Sequence, residues 1–190
     1  MGKETQERIL DTAFHLFVNN SYDSVTIDRI ADEADVSKGA VFHYFDSKFS
    51  LANDSIFNYM EKNWMPLYKE LYELDDPEVV MEKAIDFSFK FFLDNPKFMR
   101  FFIDIYERSE DEDIIEEHLD DFYMELIEMS TYMFEKLGVD NPKLRSHLLT
   151  ACIDGLALQF TFFGDKDDFP EPEELRNETI RIFSDRGDNE

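Results

Sequence analysis

Val36-Ser37-Lys38-Gly39-Ala40-Val41-Phe42-His43-Tyr44-Phe45-Asp46-Ser47-Lys48 reads as a short helix with a start signal at one end and a restart at the other. Ser37 is a favourable N-cap, because its hydroxyl can accept a hydrogen bond from a free backbone N–H of the first turn. Asp46-Ser47 offers a second cap, so a helix is predicted from Ser37 to about Phe45, with a new one beginning straight after. Gly39 and Ala40 carry almost no side chain, which lets this end of the helix approach another surface closely. Val41, Phe42 and Phe45 fall at helical spacing and are expected to anchor the helix to a core. Upstream, residues 26–34 predict another short helix, joined to the first by a tight turn at Asp35-Val36. Two short helices, a tight turn and a small-residue start to the second describe a helix-turn-helix.

Working outward, residues 5–19 predict a first helix with Ile9, Ala13, Leu16 and Phe17 on its inward stripe. Asn20 to Ser24 is a turn, and Thr26 caps the second helix. In this order and spacing the residues resemble the DNA-binding domain of the tetracycline-repressor (TetR) family. The resemblance is densest over residues 7–51. It rests on the alanine-centred first helix, the Tyr22-Asp23-Ser24-Val25-Thr26-Ile27 approach, Ile30-Ala31, Ser37-Lys38-Gly39 and the closing Tyr44-Phe45-Asp46-Ser47-Lys48. It implies a DNA-binding domain over residues 1–48 and a helical effector-binding and dimerisation domain over 49–190.

The resemblance also implies roles. A hydroxyl at the Thr26 position contacts a phosphate, which a helix N-terminus favours in any case; a pure capping role explains Thr26 equally well. Lys38, Gly39 and Ala40 are placed at base edges, with Lys38 donating to guanine and the Ala40 methyl packing on a thymine methyl. Ser37, His43, Tyr44 and Lys48 are the phosphate candidates, with His43 open to a plain surface role. Phe42 stands where the family often has a tyrosine, so one phosphate-binding hydroxyl is missing.

Charge runs against a nucleic-acid partner. The 190 residues carry 19 Lys and Arg against 44 Asp and Glu, a formal net charge of −25. A DNA-binding surface is ordinarily basic, yet residues 1–50 hold five basic against nine acidic side chains. Two readings follow. Dense carboxylates keep a chain hydrated in molar salt, where their repulsion is screened; alternatively, the helix-turn-helix has lost its DNA. The retained docking residues favour the first, although Lys outnumbers Arg and Phe is abundant.

No segment reaches the length of an apolar membrane span, and the opening residues have no apolar core, so no signal peptide is expected. The single Cys152 excludes an intrachain disulfide and fits a reducing cytoplasm, with a small buried residue on an apolar helix as the simplest role.

Beyond residue 48 the pattern is helical throughout, giving an all-α chain. A helix from Ser47 continues toward Trp64, with Pro66 kinking or ending it, and residues 67–74 add a turn or two. Helix five spans 77–94 with Val80, Ala84, Phe87, Phe91 and Phe92 inward, and helix six spans 97–109. Helix seven, 112–137, carries Ile115, Leu119, Phe122, Leu126, Met129, Met133 and Leu137 at near-heptad spacing and ends at the Gly138 C-cap. Helices over 142–163 and 172–184 follow, leaving 185–190 as a frayed tail.

Aromatic side chains at helical spacing are usually core. The resemblance implies in addition a pocket for a small apolar or aromatic effector, with Met60, Trp64, Phe87, Phe91, Phe102, Tyr106, Phe122 and Asp154 as candidate lining. Asp154 is a polar anchor there, a capped core carboxylate or an interface hydrogen bond. No catalytic constellation is present: His15, His43, His118 and His147 are scattered with no ligand pair, and there is no phosphate loop, nucleophile elbow or Cys pair. Neither a metal nor a cofactor is expected. The resulting expectation is a homodimeric transcriptional repressor, paired through residues 142–184 and released from a double-stranded operator by its effector. The alternative is a helical dimer that binds a small molecule or protein and no longer binds DNA.

Overall fold

Short polar side chains start the helices by satisfying first-turn N–H groups that have no partner within the helix. Thr26 Oγ1 accepts from Arg29 N at 3.2 Å, Ser37 Oγ from Ala40 N at 3.1 Å, Ser47 Oγ from Ser50 N at 2.9 Å and Asp76 Oδ1 from Glu78 N at 3.0 Å. The computed structural model describes residues 2–109, 114–164 and 166–184, with side chains described throughout except at 65, 67–69, 72 and 114–120. Among the described residues the order is α1 (Gly2–Asn19), a 3-10 turn (Tyr22–Ser24), α2 (Ile27–Glu33), α3 (Lys38–Tyr44), α4 (Lys48–Tyr72), α5 (Pro77–Asp94), α6 (Pro96–Arg108), α7 (Ile114–Leu137), α8 (Pro142–Phe163) and α9 (Pro172–Ser184). They include no strand. The all-α expectation holds. The expected start of α7 at Glu112, the side chains of Ile115, His118 and Leu119, and the expected tail at 185–190 lie outside the described residues.

The chain forms two compact units, Met1–Leu67 with Arg100–Glu116 and Tyr68–Met99 with Glu117–Glu190. Lys48, the expected end of the DNA-binding part, is the first residue of α4 and lies within the first unit. The local reason is packing. Leu51, Ala52 and Ile56 of α4 are buried, Tyr59 stacks on Phe14 of α1 at 3.9 Å, and Asp11 accepts from Asn58 and Lys62 at 3.0 and 2.7 Å. Phe17 stacks on Phe101 of α6 at 5.5 Å. The expected inward stripe of α1 is buried in full, joined by Leu10 and Phe14.

Two expectations require correction. Phe42 does not anchor α3: it is 48% exposed, whereas Val41 is 0% and Phe45 2%. Val41 and Phe45 are four residues apart and share a face, and Phe42 is turned about 100° away from it. Pro66 does not end α4, which continues to Tyr72 with the proline inside it. Proline removes one N–H and costs about 3 kcal/mol in a helix interior, but the bond it forfeits is a single rung of a 25-residue helix.

In the second unit α5 packs with α8 and α9. Arg176 of α9 donates to Asp86 of α5 and, at 3.1 Å, to Glu82. Phe89 meets Phe160 edge-on at 5.7 Å. On α5 the expected Val80, Phe91 and Phe92 are buried, Ala84 and Phe87 half-buried, and Ile85 and Phe89 complete the inner face.

Helices α2 and α7 end in the same hydrogen-bond pattern with different residues. Val36 N donates to Ala31 O at 3.0 Å and Asp35 N to Asp32 O at 3.3 Å; at α7, Val139 N donates to Phe134 O at 3.3 Å and Gly138 N to Glu135 O at 3.1 Å. This is the Schellman arrangement, whose C′ residue must be left-handed. Gly138 has φ 72° and Asp35 has φ 52°. Glycine adopts this conformation freely, but a side chain is penalised there. Gly138→Ala is therefore expected to cost about 1 kcal/mol, and Asp35→Gly to stabilise by a few tenths to about 1 kcal/mol; urea unfolding of the two variants measures both signs.

Candidate DNA-binding site

Helix α3 presents one face to solvent because its other face is fixed. Ser37 caps its start, Val41 and Phe45 are buried, and the left-handed Asp35 turns the chain into it. Lys38, Gly39, Phe42 and His43 are exposed, and Ala40 is half-exposed. A Cβ built on Gly39 would meet only Ser37 Oγ, at 3.8 Å. The start of α3 therefore has open space beside its backbone, as an approaching base edge would require.

Several of the expected phosphate and base contacts in the first unit already have partners. The Thr26 and Ser37 hydroxyls accept backbone N–H groups as caps, which leaves each O–H proton available to donate. Lys38 Nζ lies 2.9 Å from Asp28 Oδ2 of α2, both side chains more than half exposed. His43 and Tyr44 pack edge to face at 5.0 Å. Lys48 Nζ sits 4.1 Å from the centroid of the Tyr22 ring. Burial lowers the Lys48 pKa, with Asp23 opposing that shift and Arg108 adding to it.

Sequence reasoning missed Asp28 as the partner of Lys38 and Tyr22, Asp23 and Arg108 as neighbours of Lys48. Asp23 and Arg108 are far apart in the chain, and no spacing pattern joins them. Arg8 was missed too: its Nε donates to Ala34 O at 2.8 Å, tying α1 to the end of α2.

The expected effector residues divide between the units. Met60 and Trp64 are buried, Phe102 is half-buried and Tyr106 exposed in the first unit. Phe91 is buried and Phe87, Phe122 and Asp154 are half-buried in the second. Two clefts in the second unit are lined by other residues: one of 480 Å³ with Phe92, Phe160 and Phe169 on its wall, and one of 140 Å³ beside Leu71, Val80 and Met129. Asp154 accepts from Tyr123 Oη at 2.9 Å. Burial raises the Asp154 pKa, and the Tyr123 bond partly offsets that; the Tyr123 hydroxyl is itself pushed up, first by burial and then by the Asp154 charge. Cys152 is half-buried, with burial pushing its thiol up. Among the described residues no group of His, Cys, Asp or Glu is arranged to hold a metal ion, and no helix is long and apolar enough to cross a membrane.

Residues 9–54 match the family model described as bacterial regulatory proteins, tetR family. The chain is 34% identical to the HTH-type transcriptional regulator YerO of Bacillus subtilis over 98 residues, which is 50% of this chain and 34% of that protein. It is 27% identical to IcaR of Staphylococcus aureus, a negative transcriptional regulator of the biofilm operon icaADBC, over 111 residues and 56% of each chain. The matched parts span about a third to just over half the length of these curated relatives. A TetR transcription regulator from Haloarcula marismortui shares the fold at TM-score 0.81 and 20% identity, covering 96% of this chain and 97% of that one.

Asp154→Asn keeps an acceptor for Tyr123 and removes a half-buried charge. Because the folded-state pKa of Asp154 is raised, the wild-type chain loses stability as pH rises from the unfolded to the folded value, and the variant escapes that loss. The variant should gain stability relative to wild type between about pH 3 and about pH 7, as read by urea unfolding at both.

Proposed function

We propose, from the match of residues 9–54 to the tetR family model, that this chain is a homodimeric transcriptional repressor whose α3 helix reads an operator in the major groove. The observation that carries the proposal is the solvent-facing side of α3, where Lys38, Gly39, Phe42 and His43 are exposed and Ala40 half-exposed, with open space beside Gly39, on a helix held by Val41 and Phe45. Lys38 reaches guanine O6 or N7, and the Ala40 methyl and the Phe42 ring meet thymine methyl or sugar. The O–H groups of Thr26, Ser37 and Tyr44, with the Lys48 ammonium, bind phosphates. The negative regulator IcaR among the relatives supports repression.

Two half-sites about 34 Å apart need two copies of α3, and α8 carries a surface suited to pairing. Its inner face buries Ser146, Leu149, Ile153, Ala157 and Thr161. Its outer face repeats Leu144, Leu148, Ala151, Gly155, Leu158 and Phe162 at alternating steps of four and three. Leu144 is 60% and Phe162 52% exposed. A helix apolar on both sides has one face for its own core and one for a partner. A Cβ on Gly155 would meet nothing within 4 Å, so that position, midway along the stripe, leaves room for a two-fold mate to cross closely. On α9, Ile182 is likewise 48% exposed.

A small apolar or aromatic effector is the releasing signal in this reading, with Phe87, Phe91, Phe122 and Asp154 of the second unit as its candidate contacts. A ligand that favours a conformation with the wrong separation of the two α3 helices needs a coupling of about 1–3 kcal/mol to lower DNA affinity roughly 5–150-fold.

Fluorescence anisotropy with DNA from upstream of the chain's own gene, from low salt to molar potassium chloride, tests the reading. A saturable complex that resists competitor DNA is expected, with a salt slope that counts the neutralised phosphates. Lys38→Ala should weaken it by about 5–150-fold. If the wild-type chain forms no specific complex at any salt, the helical binding module without DNA becomes the better account. Leu148→Arg should leave the circular dichroism of the helices unchanged and yield a monomer in sedimentation. Its operator affinity should fall at least about tenfold, since each α3 then binds alone.

A further inference from the structure

The first unit holds a cluster of charges around one ring that the reading of α3 does not use. Tyr22 lies in the 3-10 turn between α1 and α2. Lys48 Nζ stands 4.1 Å and Arg108 Cζ 4.7 Å from its centroid, so an ammonium and a guanidinium share one aromatic ring. Arg108 comes from the last turn of α6. Its Nη1 and Nη2 donate to Asp23 at 3.2 and 3.0 Å, and its Nε donates to Asp104 at 2.9 Å. A guanidinium forked on one carboxylate and pinned by a second is fixed in place. The cluster is neutral: Lys48 and Arg108 against Asp23 and Asp104.

We infer that Arg108 is a positioning residue for DNA docking, which occupies Asp23 so that the Lys48 ammonium stays on the Tyr22 ring and remains available to a phosphate. The inference rests on the DNA-binding reading given above. Asp23 is the carboxylate of the 3-10 turn, next in sequence to Tyr22. Without Arg108, Asp23 is left to the Lys48 ammonium, the other described cation on that ring, and it adds an uncancelled negative charge where a phosphate must approach. In a chain of net charge −25 each such cancellation counts, because phosphate approach is already opposed by the surrounding field. Arg108 therefore acts on DNA through charge and through Lys48, without touching DNA itself.

The prediction is one of charge, so a charge-restoring second substitution separates it from a role in folding. With the full chain and the upstream DNA in low salt, Arg108→Ala should weaken binding by roughly fivefold and flatten the salt slope. Adding Asp23→Asn to that variant should return affinity to within about twofold of wild type. Arg108→Lys, which keeps the charge, should stay closer to wild type than Arg108→Ala, and Asp23→Asn alone should bind more tightly. Molar salt should erase all these differences. Equal affinities for wild type and Arg108→Ala, or no recovery on adding Asp23→Asn, would overturn the inference.

A second measurement needs no DNA. The titration of Lys48, followed by carbon-13 NMR of reductively methylated lysines, should move up in Arg108→Ala and down in Asp23→Asn. If it moves in neither, the three side chains are uncoupled and the inference fails. A chain that binds no DNA removes the docking role together with the function proposed above, while this titration still decides whether the charges are coupled.

Discussion

A helix of seven residues cannot hold itself together in water, because nucleation consumes more order than so few hydrogen bonds return. Helix α3 has seven residues, and the proposed docking on DNA requires that most of its surface stay bare. Everything that keeps it helical must then come from its ends and from one narrow stripe. Ser37 supplies the start, Val41 and Phe45 the stripe, and Asp35 the change of direction that places the stripe against the first unit's core. The burial of α1, the cap on α2 and the bond from Arg8 to the carbonyl of Ala34 all serve the same end. The exposed face of α3 is what remains when those demands have been met.

The same economy governs charge. Cationic groups at this end of the molecule are held by acids of the same unit: Lys38 by Asp28, Arg29 by Glu33, Arg108 by Asp23 and Asp104. Exposed pairs of this kind contribute little to stability, about 0–1 kcal/mol each. Their weight lies in the potential they leave behind. In the proposed complex a lysine paired in the free protein exchanges a carboxylate for a phosphate, so the net attraction for DNA is the difference between two similar interactions. Salt weakens both, and at molar concentration the screening length is about 3 Å. The acidic excess of the chain is then nearly invisible to a duplex, whereas the direct hydrogen bonds and apolar contacts proposed at the base edges would persist.

Local chemistry was well written in the chain. Thr26, Ser37 and Ser47 cap the helices they were expected to cap, Gly138 closes α7 in the left-handed conformation, and α5, α8 and α9 keep close to their expected bounds. Three things escaped. Asp35 does a glycine's task, and nothing local distinguishes it from other surface aspartates. Phe42 is apolar and helical in phase with neighbours that are buried, but a seven-residue helix can bury one stripe only, and Val41 with Phe45 fills it. Pro66 is a breaker by rule; the gain from continuing α4 to Tyr72 outweighs one lost bond. The partners of Lys38 and Lys48 were illegible for a different reason: ion pairs across a fold depend on which turns come together, and such information resides in no single stretch. The candidate base-reading residues could be proposed from sequence because they belong to one stretch.

Trp64 gives the molecule a reporter of its own. It is the one tryptophan among 190 residues, it is 5% exposed, and it lies on α4 two residues before Pro66. Indole emission shifts to longer wavelength as water reaches the ring, so the colour of this protein's intrinsic fluorescence belongs to a single site on the long helix. Any event that loosens or tightens α4 around that ring becomes visible without a label.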